Sequence, residues 1–130
     1  MATIFTKIIN KEIPCHKLAE NEFCISFLDI SPLTAGHALV VPKKEVDYYF
    51  DLDDDLLFEV NKMAKQVAKA IQKSVSCSRV GVAVIGLEVP HAHVHLVPIN
   101  EVGDINFKKK RANLTPDDFT ALAEKIRSNL

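Results

Sequence analysis

The sequence predicts a single α+β domain in which a mostly antiparallel sheet packs with one long helix and one C-terminal helix. Three observations lead to this fold class: short apolar segments bounded by turn residues, a long amphipathic pattern beginning near residue 51, and a capped helical pattern beginning at Thr115. The chain has 130 residues, which is enough for one domain with a sizeable core.

The first strands form a predicted hairpin. Residues 16–19 and 23–28 are apolar segments on either side of a polar turn at residues 20–22. A loop at residues 29–36 contains proline and glycine, which interrupt regular structure, and residues 37–41 then return as a third strand.

The longest predicted element is an amphipathic helix that follows a group of aspartates. Acidic residues favour the positive end of the helix dipole, and they stand here at Asp51, Asp53, Asp54 and Asp55. Apolar residues then recur at intervals of three and four, and this stripe is predicted to face the core. Its members are Leu56, Val60, Met63, Ala64, Val67, Ile71 and Val75.

The second half of the chain alternates strand and loop before it closes on a helix. Residues 79–85 and 91–97 are predicted strands separated by a break at Gly86, and residues 100–113 are polar and predicted to be irregular. Thr115 provides a helix cap, with proline at the first helical position and an acid at the third. The apolar side of this helix consists of Phe119, Leu122, Ala123, Ile126 and Leu130.

Three histidines alternate with apolar residues at residues 91–95, and this is the most informative motif in the chain. A period of two is the side-chain period of a β-strand, so His91, His93 and His95 are predicted to project from one face while the intervening residues enter the core. Because neutral imidazole is both a nucleophile and a metal ligand, three such rings on one face indicate a functional site.

Metal binding and covalent catalysis both remain open for this motif. Histidines two residues apart on a strand can share a zinc ion. However, a strand rises about 3.3 Å per residue, which places His91 and His95 roughly 13 Å apart at Cα on an unbent strand. All three rings therefore cannot easily meet one ion.

The composition limits the classes of partner. A formal net charge of −1 gives no general electrostatic case for nucleic-acid binding, and no apolar run approaches the ~20 residues that span a bilayer. The basic run at residues 108–111 is predicted to be a solvated loop, with a patch near an anionic substrate as the alternative. We expect a cytoplasmic protein without nucleic-acid or membrane partners, since no apolar signal region is present and three widely spaced cysteines suit reduced thiols. They are Cys15, Cys24 and Cys77.

Residues 91–97 resemble the signature of the histidine triad (HIT) family of nucleotide hydrolases and transferases, which is His-x-His-x-His followed by two apolar residues. Residues 27–32 together with 36–43, and residues 12–14, are also similar to this family. So is the opening at residues 4–9, whose own pattern fits either a helix or a strand. We therefore expect one HIT domain over the whole chain, with a core at residues 1–99 and a C-terminal extension with a helix at residues 100–130.

The resemblance implies a five-stranded antiparallel sheet that dimerises into a ten-stranded sheet. It also implies chemistry at the α-phosphate of a purine nucleotide, in which His93 attacks phosphorus and forms a nucleotidyl-histidine intermediate. His95 would donate to the phosphate oxygens, and His91 and His37 would orient the triad or polarise the leaving group. The favoured activity is purine nucleoside phosphoramidate hydrolysis. The alternatives are dinucleoside polyphosphate hydrolysis and a regulatory nucleotide-binding module with little turnover.

The resemblance also implies a nucleotide-binding site. Phe5, Ile8, Phe27 and Ile30 match positions that line the base pocket, with plain core packing as the alternative. Asp29 matches the acid that holds the ribose hydroxyls, although aspartate is also a common turn residue.

Two departures from the family pattern affect the expected site. Relatives often hold a structural zinc with a Cys-x-x-Cys pair and a later histidine, but the matching positions here are Thr3, Thr6 and Glu45. We therefore expect no structural zinc and no other cofactor. The loop before the triad is shortened to residues 85–90, and Glu88 replaces a small hydroxyl residue there; it is predicted to be a solvent-facing acid.

Overall fold

A five-stranded sheet with helices on both faces organises the protein, and the computed structural model describes residues 2–130. All strand pairs are antiparallel and their order is β1-β2-β3-β5-β4, which confirms the predicted fold class. Within these residues, no helix combines the length and apolar character needed to cross a membrane. The strands are β1 (Lys17–Glu20), β2 (Cys24–Leu28), β3 (Ala38–Pro42), β4 (Arg79–Ala83) and β5 (Val94–Ile99), and the helices are α1 (Ile4–Ile9), α2 (Asp54–Ser74) and α3 (Pro116–Ser128).

Helices α2 and α3 pack together on one face of the sheet and begin at the predicted caps. The Asp53 side chain accepts the amide hydrogen of Leu56 at the start of α2. Thr115 and Asp118 form a reciprocal capping box at the start of α3, which satisfies two amide donors that a helix terminus otherwise leaves free. The apolar stripes of both helices pack into the larger core cluster, as their spacing predicts. Leu130 is the exception, because it lies beyond the end of α3 and is 52 % exposed.

The opposite face of the sheet carries a smaller apolar cluster, which lies beside the histidine segment. Residues 4–9, whose pattern was ambiguous, form α1, capped by the Thr3 hydroxyl. Helix α1 places Phe5 against this face, beside Phe27 of β2. The cluster is completed by Ile25, Leu39 and Val41.

The histidine segment enters its strand later than predicted. Strand β5 begins at Val94, because the Ala92 amide donates to the Val46 carbonyl at 2.7 Å and the His91 amide donates to the Val89 carbonyl at 2.8 Å instead of joining the sheet. The facing of the side chains is nevertheless as predicted, since Ala92 is buried in the core beneath α2.

Candidate active site

His93 presents a ring nitrogen with an unshared electron pair. Its Nδ1 lies 2.7 Å from the His91 carbonyl oxygen. A carbonyl oxygen can only accept, so Nδ1 carries the proton and Nε2 is unprotonated. Burial lowers the pKa of His93, although the hydrogen bond to His91 opposes this shift. The ring is therefore neutral near pH 7, the state in which imidazole is a nucleophile.

A backbone amide fixes the protons of a second histidine pair, His37 and His95. The Leu33 amide donates to Nδ1 of His37 at 3.0 Å, so the proton of His37 is on Nε2. That nitrogen lies 2.9 Å from Nδ1 of His95 and donates to it. The remaining proton of His95 is consequently on Nε2, which can donate to a substrate oxygen.

Both rings of this pair remain neutral at physiological pH. Burial lowers the pKa of His37 to about 4 and that of His95 to about 3, with the nearby Arg111 cation acting in the same direction. Because His37 is neutral, its 3.6 Å approach to Asp29 Oδ2 is a contact and not an ion pair.

Solvent exposure separates the four histidines into two groups. His37 and His91 are 0 % exposed, whereas His93 and His95 are 7 % and 9 % exposed. Only the middle and last rings of the triad therefore reach the surface. A substrate can meet the lone pair of one ring and the N–H of the next, and the two ring centroids are 4.9 Å apart.

His91 supports the site from within the protein. Its Nε2 donates to the Pro42 carbonyl at 2.8 Å, which makes Nδ1 the acceptor for the Thr3 hydroxyl at 2.9 Å. The Glu45 carboxylate accepts from the Thr3 amide and from the Thr6 hydroxyl. Thr3, Thr6 and Glu45 are therefore joined by hydrogen bonds that tie α1 to the first histidine.

Replacing Thr3 with valine tests this connection. The variant loses both the cap of α1 and the donor to His91, so its free energy of unfolding should fall by about 1–2 kcal/mol. Thr3→Ser retains the hydroxyl and should lose much less. Urea unfolding of the two variants measures the difference, and equal losses would show that the hydroxyl contributes nothing.

One group of side chains has the spacing of a metal site. Ligand atoms of Asp29, His37 and His95 all lie within 4.8 Å of one another. However, Nδ1 of His37 accepts from Leu33 and Nε2 must keep its proton to donate to His95, so His37 has no free electron pair for an ion. The donor set therefore suits a proton-ordered hydrogen-bond chain better than a metal ion.

The residues proposed to hold the base are only partly gathered at the histidines. Phe5 packs against His93 with ring centroids 4.9 Å apart, and Phe27 lies 5.9 Å from Phe5. Ile8 is half-buried beside the same cluster and lines a cavity of about 240 Å³ beneath α1. Ile30 is 73 % exposed and extends into solvent. A larger cavity, of about 530 Å³, lies by the start of α2, away from the triad.

Asp29 stands between the loop and the histidine pair. Its Oδ1 accepts the Ser31 amide at 2.8 Å, the turn-forming bond that was the alternative interpretation of this residue. Its Oδ2 faces His37. Burial raises the pKa of this carboxyl.

Two neighbours of the site were not predicted to belong to it. Phe107, in the polar segment after β5, contacts His95 with ring centroids 4.7 Å apart. In the sequence, the only indication of such a role is that this aromatic residue stands alone beside the basic run. Glu88 is exposed as predicted, yet its charge is close enough to oppose the lowering of the His93 pKa and to add to the raised pKa of Asp29.

A family model described as HIT domain matches residues 10–102. The chain belongs to the histidine triad family. It is 33% identical over 132 residues to an adenosine 5'-monophosphoramidase of Schizosaccharomyces pombe, and the alignment covers 100% of this chain and 99% of the relative. This confirms the family that residues 91–97 indicated.

Solved structures agree with the HIT fold along nearly the whole chain. A Hit-like protein from Bartonella henselae matches with a TM-score of 0.85 at 32% identity, covering 98% of this chain and 96% of its own. A hypothetical histidine triad nucleotide-binding protein from Sulfolobus tokodaii gives 0.81 at 30% identity, with 96% and 89% covered.

Proposed function

We propose that this protein hydrolyses a purine nucleoside phosphoramidate through a nucleotidyl-histidine intermediate. The observation that carries the proposal is the proton arrangement of two neighbouring rings. His93 has an unprotonated Nε2, and His95 has a protonated one. The relative from Schizosaccharomyces pombe is named an adenosine 5'-monophosphoramidase, which supports the same substrate class.

The chemistry follows from these two nitrogens. Nε2 of His93 attacks the α-phosphorus, the bond from phosphorus to the leaving nitrogen breaks, and the departing amine takes up a proton from solvent water. An uncharged nucleophile avoids repulsion from the anionic phosphate oxygens, and two easier displacements replace one difficult one. The Nε2–H of His95 stabilises the negative charge on the phosphate in the transition state. Water then releases the nucleoside monophosphate from His93.

The nucleotide would lie along the face that carries α1. The ring of Phe5 is already against His93, and Phe27 and Ile8 continue the apolar surface on which a purine base can pack. Ile30 would close over the base from the exposed loop. Asp29 would hold the ribose hydroxyls with its Oδ2.

Steady-state hydrolysis of two substrates tests the proposal. Adenosine 5'-phosphoramidate should be hydrolysed to AMP with a higher kcat/KM than a diadenosine polyphosphate, and a chelator should leave the rate unchanged. A higher kcat/KM for the polyphosphate would show that the protein is a dinucleoside polyphosphate hydrolase, in which a nucleotide and not an amine is the leaving group. Loss of activity with chelator would favour a metal-dependent reaction, and AMP binding without turnover would favour a regulatory module.

The exposed edge of the sheet suits a homodimer. Strand β4 is at the end of the strand order, and exposed apolar side chains lie on this strand and in the segment directly after it. They are Val82, Val84, Ile85 and Leu87. We propose that two β4 edges pair and join both sheets into one of ten strands, in a protein that works in the cytoplasm.

Changing Val82 to lysine should therefore convert a dimer to a monomer, because the substitution places a charge at the paired edge. Phe58→Lys is the matched control, since Phe58 is equally exposed, at 63 %, but lies on α2. Sedimentation equilibrium measures the molecular mass of both variants in solution. A wild-type protein that stays monomeric at high concentration would contradict this assembly.

A further inference from the structure

Phe107 covers the histidine pair from a part of the chain that the family model does not include. The matched region ends at residue 102, and Phe107 follows a short 3₁₀ turn at Val102–Ile105. Its ring meets His95 edge-on, with centroids 4.7 Å apart and planes at 67°, and meets His37 at 6.1 Å and 80°. One aromatic ring thus contacts both members of the hydrogen-bonded pair.

Arg111 holds this ring in place. Its guanidinium carbon lies 5.6 Å from the centroid of the Phe107 ring, and one terminal nitrogen donates to the Phe107 carbonyl at 3.4 Å. The other terminal nitrogen donates to the Ser31 carbonyl at 3.2 Å. The Ala112 amide also donates to the Pro32 carbonyl at 2.8 Å, so the segment is tied to the loop that carries Asp29.

We propose that Phe107, anchored by Arg111, is a positioning residue that keeps water from the His37–His95 pair and so preserves the ring orientation and proton order that let His95 donate to the substrate phosphate. The effect of Phe107 on catalysis rests on the proposed function, whereas its effect on the orientation and protonation of His37 and His95 does not. The basic run at residues 108–111 therefore includes one anchoring side chain in addition to solvated lysines, since Lys108 and Lys110 are exposed.

The charges around His95 define what Phe107 can change. His93 and His37 contact the ring, Arg111 stands behind Phe107, and Asp29 approaches His37. Burial disfavours a positive charge on His95 most, and His93, His37 and Arg111 disfavour it as well. Removing the Phe107 ring admits water and reduces the largest of these effects, so protonation of His95 becomes easier.

Histidine ring NMR of the free protein tests this inference without any substrate. In the wild type, His95 should show only the Nε2–H tautomer and should stay neutral at every pH at which the protein is folded. In Phe107→Ala, the His95 resonance should instead titrate within the pH range in which the protein is folded, and the tautomers should become mixed. Phe107→Tyr should behave as wild type. Phe50→Ala, which removes an aromatic ring that is 72 % exposed, is the matched surface control.

Two further variants separate anchoring from charge and guard against misfolding. Arg111→Lys keeps the cation but cannot bridge two carbonyl groups, so it should shift His95 in the same direction as Phe107→Ala, by a smaller amount. Phe107→Leu retains apolar bulk and should give an intermediate shift. It replaces the alanine variant in this test if that variant does not fold. An unchanged His95 titration and tautomer in folded Phe107→Ala or Phe107→Leu would overturn the inference.

The same variants have a kinetic signature if the protein is the proposed hydrolase. Phe107→Ala should move the acid limb of the kcat profile to higher pH, so that kcat falls below the wild-type value more at pH 5 than at pH 8, and should leave KM nearly unchanged, because protonated His95 cannot keep its bond from His37. A uniform loss at all pH values would assign Phe107 a merely structural role and overturn the positioning role. Absence of turnover in the wild type would defeat the proposed function alone, since the NMR result would still stand.

Discussion

Replacing His93 with alanine should reduce the turnover number for adenosine 5'-phosphoramidate by at least about 10³-fold, because the proposed nucleophile is removed. AMP binding should persist, since Phe5 and Asp29, which we propose hold the nucleoside, remain. The measurement is single-turnover hydrolysis with enzyme in excess over substrate.

The control for this experiment is another histidine. His16 stacks on Phe119 of α3, with centroids 5.2 Å apart, and belongs to neither the triad nor the His37–His95 pair. His16→Ala should therefore keep near wild-type turnover. If His93→Ala retained activity within about tenfold of wild type, covalent catalysis by this ring would be wrong.

Acidification from pH 7 to pH 5 should destabilise the protein, because two histidines are buried in their neutral form. The unfolded chain binds protons at these rings near pH 6.5, whereas the folded pKa values are about 4 for His37 and about 3 for His95. The unfolded state thus holds more protons below pH 6.5. The free energy of unfolding should fall by up to about 1.4 kcal/mol per pH unit for each histidine, until the folded pKa is reached.

Urea unfolding at pH 7.5, 6.5, 5.5 and 5.0 measures this effect. Glu20 does not contribute in this window. Hydrogen bonds to Lys43 and Lys17 lower its pKa to about 2, so its contribution is lost only below about pH 4.5. His95→Gln should show a smaller slope than the wild type, because one of the contributing rings is removed. Equal unfolding free energies at pH 7 and pH 5 in the wild type would mean that these rings are protonated in the folded state.

Local patterns in the sequence were sufficient to predict much of the fold. The stripe of α2 and the cap at Thr115 each depend on residues within one or two turns, so spacing alone identifies them. The hairpin follows from Asn21, whose side chain accepts two amide hydrogens in the turn. The facing of the triad also follows from its period.

The features that escaped prediction depend on contacts between distant parts of the chain. Strand β5 starts at Val94 because the Ala92 amide bonds to Val46, a partner that periodicity does not reveal. The proton order of His37 depends on the backbone of Leu33. Phe107 lies in a segment without a repeating pattern, so only the folded chain shows that it contacts His95.

Direct detection of the intermediate tests the central claim that neutral His93 attacks phosphorus. The protein is mixed with adenosine 5'-phosphoramidate, quenched within milliseconds in alkaline denaturant, and digested for peptide mass mapping. The account predicts one adenylyl group, located on His93 and absent from the His93→Ala protein. Full hydrolysis with no adduct at any time, or an adduct on another residue, would contradict it.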